Sequence, residues 1–336
     1  LLRDSTSPRN QLEYARRARR LADSEAGLAA PLFRGKQTIV PETRQLKDTA
    51  VERPLLSVVI PTWNRSRLVC EAVESALVQR RGSVEVIVVD DCSTDDTCAV
   101  LAERFGPDIR LLSLARRGGA RAARNAGARL AAGELLAFLD SDDLWLPGKL
   151  DAELRVFELL PGAEAVVSDN LYFIEGERQG MSRFEASGLL KFSGGDICWA
   201  SDCPPVWAHR SAVSTCSMTL RRNALDRLGG GPLFAADLAS HEDWDFEIRL
   251  FHNCRVAVLP EVWSHVRQID DGTRPEHAMP GKPRTISQQF RFLCGRLEVL
   301  ERSLKLSWPA GNIPRELERA RNDTAGKLAR CDGLEG

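Results

Sequence analysis

Phe138-Leu139-Asp140-Ser141-Asp142-Asp143 is the stretch on which the fold turns: an apolar run stops and three carboxylates arrive within four positions. Like charges a few Å apart repel and raise one another's pKa, so the cluster calls for a counter-charge. A divalent cation is the direct remedy. Asp140-Ser141-Asp142 has the D-x-D form, in which a hard cation takes one or two carboxylates and leaves its other positions to substrate phosphates. The pattern points to a nucleotide diphosphate as ligand, although acidic residues also close strands and cap the helices that follow them.

On the N-terminal side, Leu56 to Ile60, Val84 to Val89, Ile109 to Leu114 and Leu135 to Leu139 are short apolar runs rich in β-formers. Helix-like stretches near 67–79, 96–105 and 120–131 alternate with them. The alternation predicts an α/β fold with a mainly parallel central sheet. Ligands of such sheets sit beyond the carboxyl ends of the strands, where Pro61-Thr62-Trp63-Asn64-Arg65, Asp90-Asp91 and Asp140-Ser141-Asp142 all fall. Three polar loops then converge on one rim.

On the C-terminal side, Pro147 suits a first helical position, Lys149 to Leu160 reads as a helix and Glu164 to Ser168 as a strand. Residues 176–218 carry Gly180, Gly188, Gly194, Gly195, Pro204 and Pro205, which predicts long loops or a small subdomain for a second substrate. Regularity returns over Arg222 to Leu228, then after Gly229-Gly230-Gly231 in a helix from Glu242 to His252. Over residues 285–307, Phe290, Leu293, Leu297, Leu300 and Leu304 form a helical stripe that packs on the domain or serves as a homodimer seam. Residues 1–50 hold ten Lys or Arg against six Asp or Glu, with Leu12, Ala15, Ala18 and Leu21 marking an amphipathic helix ahead of a Pro-containing linker. The expected division is an N-terminal helical extension over 1–50, a domain over 51–268 with halves 51–146 and 147–268, and a C-terminal helical extension over 269–336.

Hydrophobic residues at 43% and charged residues at 28% are ordinary globular values, and a net charge of -1 gives no electrostatic case for nucleic acid as a partner. No stretch approaches the roughly 18 to 20 apolar residues of a membrane span, and a signal peptide's regions are not seen at the start, so the chain is expected in the cytoplasm. Nine cysteines without a tight CxxC pair predict free thiols and no zinc; Cys198 and Cys203 are close in sequence.

Five motifs in order resemble the family 2 glycosyltransferases of the GT-A fold: Ser57-Val58-Val59-Ile60-Pro61-Thr62-Trp63-Asn64-Arg65, Val88-Val89-Asp90-Asp91-Cys92-Ser93-Thr94-Asp95, Ala123-Arg124-Asn125-Ala126-Gly127, Phe138-Leu139-Asp140-Ser141-Asp142-Asp143 and Glu242-Asp243-Trp244-Asp245. The resemblance covers about residues 55–268. It implies inverting transfer of a sugar from a nucleotide-diphosphate donor to an acceptor hydroxyl on a glycan, a lipid-linked glycan or a small natural product. It also implies roles. Pro61, Thr62 and Trp63, with Asn64 and Arg65, form the nucleotide loop, and the Trp63 ring offers a stacking surface for the base. Asp91 accepts from the base imino group, which favours uracil or thymine and hence a UDP- or dTDP-type donor. Arg124 and Asn125 lie beside the donor, Asp140 and Ser141 touch it near the ribose, and Asp142 with Asp140 holds Mn²⁺ or Mg²⁺. His265 completes that metal site, although Trp263-Ser264-His265 lacks the aromatic-Arg pair usual before it. At the start of a helix, Asp243 is the general base and Glu242 binds the acceptor or orients the loop. Cys92 stands where glycine is commonest.

Two rivals remain. A nucleotidyltransferase of similar design carries a glycine-rich basic loop after its first strand, unlike Pro61-Thr62-Trp63-Asn64-Arg65. A non-catalytic sugar-nucleotide-binding protein would be favoured if either carboxylate site were missing. No GxxxxGK[ST] or HExxH pattern supports an ATPase or a zinc hydrolase.

Overall fold

The computed structural model describes residues 53–79, 84–174, 177–193, 196–203, 205–238, 240–268, 285–308 and 312–332. The helix and linker expected over residues 1–50 lie outside these. β1 (Leu56–Thr62), α1 (Ser66–Leu77), β2 (Val84–Asp90), α2 (Thr97–Phe105), β3 (Ile109–Ser113), α3 (Gly119–Leu130) and β4 (Leu135–Phe138) alternate as the apolar runs predict. There follow β5 (Leu144–Trp145), α4 (Lys149–Leu159), β6 (Ala165–Ile174), β7 (Glu177–Gln179), α5 (Arg183–Ser187), α6 (Leu189–Ser193) and β8 (Cys198–Trp199). The chain continues through β9 (Met218–Arg221), α7 (Ala224–Arg227), α8 (Glu242–Asn253), β10 (Val256–Arg267), α9 (Ile286–Leu304) and α10 (Ile313–Asp332). Pro147 precedes α4, which starts at Lys149.

Among the described residues the strands form one sheet of order β3-β2-β1-β4-β9-β6-β10-β5, with β7 on β6 and β8 on β10. The parallel arrangement holds from β3 to β4 and again between β6 and β10. Between those blocks the sheet is mixed, because β9 returns from the long excursion after β6 and inserts antiparallel between β4 and β6. The expected halves 51–146 and 147–268 therefore share one sheet.

Successive strand residues point to opposite faces, and the two cores divide accordingly. Val58, Ile60, Val86 and Val88 join α1, α2 and α4 on one face. Val59, Ile87, Val89 and Phe138 face α3 and α8 on the other, in a core that also takes Val299 and Leu300 of α9 and Leu317 and Ala320 of α10. The stripe on α9 thus packs on the domain. All nine cysteines are free; Cys198 and Cys203 bring their sulfurs to 3.6 Å.

One close approach sets the height of α3. A Cβ on Gly127 would fall 2.4 Å from a Val59 methyl and 3.1 Å from one of Val89, so only glycine lets the helix settle on β1 and β2. Gly127→Ala should lower stability by about 1–3 kcal/mol through overpacking. Urea unfolding checks this, and adding Val59→Ala should return part of the loss.

Candidate active site

The loops after β1 and β2 are stitched to each other. Asn64 N–H donates to Ser93 Oγ (2.8 Å), Thr94 N–H donates to the Asn64 side-chain oxygen (2.7 Å), and Arg65 N–H donates to Thr97 Oγ1 (3.0 Å). Asn64 and Cys92 hold positive φ angles of 49° and 62°. Left-handed backbone at a non-glycine residue costs of order 1–3 kcal/mol and persists where neighbours over-determine it. The φ at Cys92 explains why glycine is common there, and the Cys92 thiol donates to Leu114 O at 2.9 Å.

Asp90 and Asp91 do different jobs. Asp90 accepts from Ser93 N–H (3.1 Å) and closes its own loop, whereas the two oxygens of Asp91 accept from Gly118 N–H and Gly119 N–H, each at 2.7 Å. Beside that pinned segment, the Arg117 guanidinium lies 3.5 Å over the Trp63 ring. Sequence reasoning missed Arg117; its one signal is the basic pair Arg116-Arg117 ahead of Gly118-Gly119. At the end of β1, Thr62 Oγ1 is buried without a hydrogen-bond partner, and Pro61 is buried within the strand.

After β4 the chain makes a tight turn, Asp143 N–H donating to Asp140 O at 3.0 Å, with Ser141 buried inside it. The Asp143 carboxylate accepts from Arg267 N–H (3.0 Å). Asp142, 2% exposed, lies 3.0 Å from Arg65 Nη1. Asp140 is more open at 21% and pairs at 2.5 Å with Arg124, whose other amino group is 3.9 Å from Glu242. Two arginines therefore supply counter-charge that the sequence assigned to a cation alone. Burial opposes charge on Arg124, but Asp140 and then Glu242 outweigh it, and its pKa is raised. Its Nε has no partner.

Asn125 is engaged elsewhere. Its amide donates to Phe234 O (2.7 Å) and accepts from Phe234 N–H (3.0 Å), so both ends are engaged with the backbone of the segment leading to α8. Glu242 and Asp243 then open α8, where the helix dipole favours acidic groups. Glu242 is half-buried, and burial, then Asp243, raise its pKa while Arg124 pulls it down. Asp243 is exposed and accepts from Trp244 N–H at 2.8 Å.

His265 lies inside β10, paired with Leu144 and Leu171, its ring 4.2 Å from that of Phe173. Burial and then Arg267 push its pKa down to about 4, so it is neutral at pH 7. Among the described residues no three His, Cys, Asp or Glu side chains come together as a metal-binding group. The expected trio of Asp140, Asp142 and His265 does not assemble: the carboxylates face arginines and the imidazole packs on an aromatic ring.

The fold has known counterparts. Residues 57–229, just over half of the chain, match the family described as Glycosyl transferase family 2, and the chain belongs to that family. The succinoglycan biosynthesis protein ExoO of Rhizobium meliloti (strain 1021) is 37% identical over 139 residues, 41% of this chain and 39% of its own length. The UDP-Glc:alpha-D-GlcNAc-diphosphoundecaprenol beta-1,3-glucosyltransferase WfaP of Escherichia coli is 30% identical over 177 residues, 52% of this chain and 62% of its own. Each match spans less than two thirds of the relative's length. Among solved structures, S. aureus TarS 1-349 aligns with a TM-score of 0.59 at 19% identity, covering 83% of this chain and 74% of that one. The mannosyltransferase PcManGT from Pyrobaculum calidifontis, in complex with GDP-Man and Mn²⁺, aligns at 0.55 and 19% identity, covering 96% and 83%. These likenesses show the GT-A fold.

One turn beyond Asp243, Glu247 is fully buried; its Oε1 accepts from Ala212 N–H at 2.9 Å and its Oε2 has no partner. Burial pushes its pKa from 4.5 to about 8, leaving it neutral at pH 7. The folded state keeps this proton where the unfolded chain has lost it, so the contribution to stability is present below about 4.5 and is lost as pH rises toward about 8. Urea midpoints of the wild type should accordingly fall between those values more steeply than those of Glu247→Gln, which has no titrating group.

Proposed function

We propose that the chain is an inverting glycosyltransferase that moves a sugar from a UDP- or dTDP-type donor to an acceptor hydroxyl with the help of Mn²⁺ or Mg²⁺. The observation that carries this reading is the buried Arg124, which contacts Asp140 of the DXD turn on one side and Glu242 on the other. Donor-side and acceptor-side carboxylates thus meet at one rim. A donor set of two carboxylates fits a hard cation whose remaining positions are taken by a diphosphate. Asp140 and Asp142 would hold it, and when bound it supplies positive charge beside the leaving diphosphate.

The chain's own residues do the rest. Trp63 and Arg117 present a ring and a guanidinium to the base. Arg65 and Arg124 add fixed positive charge where the diphosphate departs. Asp243 takes the proton of the acceptor hydroxyl as its oxygen bonds to the anomeric carbon. The bond from that carbon to the diphosphate oxygen breaks, and its electron pair leaves with the phosphate. Glu242, held by Arg124, orients the head of α8.

The donor class is supported by TarS, solved in complex with UDP-GlcNAc, and by the UDP-Glc named for WfaP. The diphosphoundecaprenol in that relative's name supports a lipid-linked glycan as acceptor. No helix among the described residues is long and apolar enough to cross a membrane.

Asp142→Asn should abolish Mn²⁺-dependent UDP binding, as read by calorimetry, with the fold intact. Asp243→Asn should keep that binding within about twofold while release of UDP from UDP-glucose at saturating donor falls by roughly 10² to 10⁴. A wild type that binds UDP equally well in EDTA would remove the cation from the reading. An Asp243→Asn variant with unchanged turnover would remove the base.

A further inference from the structure

Helix α9 and the head of α8 both lie beyond the family-matched residues 57–229, and α9 meets that head at two points. The Phe292 ring is 4.7 Å from that of His241, and the Arg296 guanidinium is 4.9 Å from the Trp244 ring. Arg296 is itself tied down, donating to Thr324 Oγ1 (3.0 Å) and to His209 O. Between these two contacts sits Gly295. A Cβ there would fall 2.1 Å from Ser240 Oγ and 3.0 Å from His241 Nδ1, the two atoms that share a 2.8 Å hydrogen bond.

His241 immediately precedes Glu242 and holds φ 62°, ψ 26°, a left-handed conformation that a residue other than glycine keeps only where its surroundings enforce it. The Phe292 ring of α9 and the Ser240 Oγ bond to its Nδ1 brace it, and the bare Cα of Gly295 leaves room for that bond. A methyl on Gly295 would drive Ser240 Oγ away and break its bond to His241 Nδ1. The turn would then be free to relax, and Glu242 and Asp243 would shift against Arg124 and Asp140.

We propose that α9, through Gly295 and Phe292, locks the left-handed turn at His241 and so positions Glu242 and Asp243 for chemistry. Gly295 and His241 are positioning residues, and the assignment rests on the transferase reading of the same carboxylates. A misplacement near 1 Å at a reacting centre costs about 10²-fold in rate.

The test compares wild type, Gly295→Ala and Phe292→Ala by three readouts. The first is amide exchange at Asp245, whose N–H donates to His241 O at 3.0 Å and so reports on the turn directly. The second is the UDP isotherm with Mn²⁺. The third is UDP release from UDP-glucose, with water as acceptor. In Gly295→Ala, Asp245 should exchange about tenfold faster and turnover at saturating donor should fall roughly 10- to 10²-fold, with the UDP Kd within about twofold. Phe292→Ala, which removes the ring contact to His241 without adding a clash, should change both in the same direction. Unchanged exchange at Asp245 in either variant, unchanged turnover, or a parallel fall in UDP binding and turnover would overturn the proposal. A wild type that binds no UDP would count against the transferase reading, while the exchange comparison would still decide the positioning role.

Discussion

A single buried guanidinium organises this molecule. Arg124 is almost wholly removed from water, which is tolerable only because Asp140 and Glu242 neutralise it. The guanidinium bridges the two carboxylates, so the turn after β4 and the head of α8 are bound to one another electrostatically. An apolar path runs beside the polar one. Phe138, at the end of β4, meets the Phe234 ring edge-on at 5.1 Å, and Phe234 meets Phe246 of α8 at 4.7 Å. Asn125, the neighbour of Arg124, fixes the Phe234 backbone between them. Gly127, one turn on, seats the whole helix against β1 and β2. The motif Ala123-Arg124-Asn125-Ala126-Gly127 thus couples three tasks on two faces of one helix: charge, clamp and close approach.

Backbone strain has a matching distribution. Among the described residues, the non-glycine residues with positive φ are Asn64, Cys92 and His241, which lie in the loops after β1 and β2 and just ahead of Glu242. Each is braced: Asn64 by Ser93 and Thr94, Cys92 by Leu114, His241 by Ser240 and Phe292. Strain of this kind is sustained when a rigid frame over-determines the turn, and the return is a set of side chains fixed before any ligand arrives.

The first half of the sheet was plain in the sequence because strands buried on both faces read as unbroken apolar runs. β5 and β8 have two residues each, too few for any periodicity to register. β6 runs past Ser168 through Asp169 and Asn170, polar residues buried in the sheet, so its apolar signal stops before the strand does. The site divides in the same way. The carboxylates stood out by their spacing, whereas the partners that define their roles are remote in sequence: Arg124 meets a glutamate at Glu242, and Asn125 meets Phe234, 109 positions away. His265 fits a ligand pattern as a residue type, but strand pairing and the Phe173 ring claim it.

A crystal structure with UDP and Mn²⁺ bound would show whether Arg124 joins the proposed donor and catalytic carboxylates at one rim. The expectation is the diphosphate beside Asp140 and Asp142, the base against Trp63, and Arg124 still between Asp140 and Glu242. A nucleotide bound away from the ends of β1, β2 and β4, or an Arg124 that leaves Glu242 when the diphosphate binds, would contradict it.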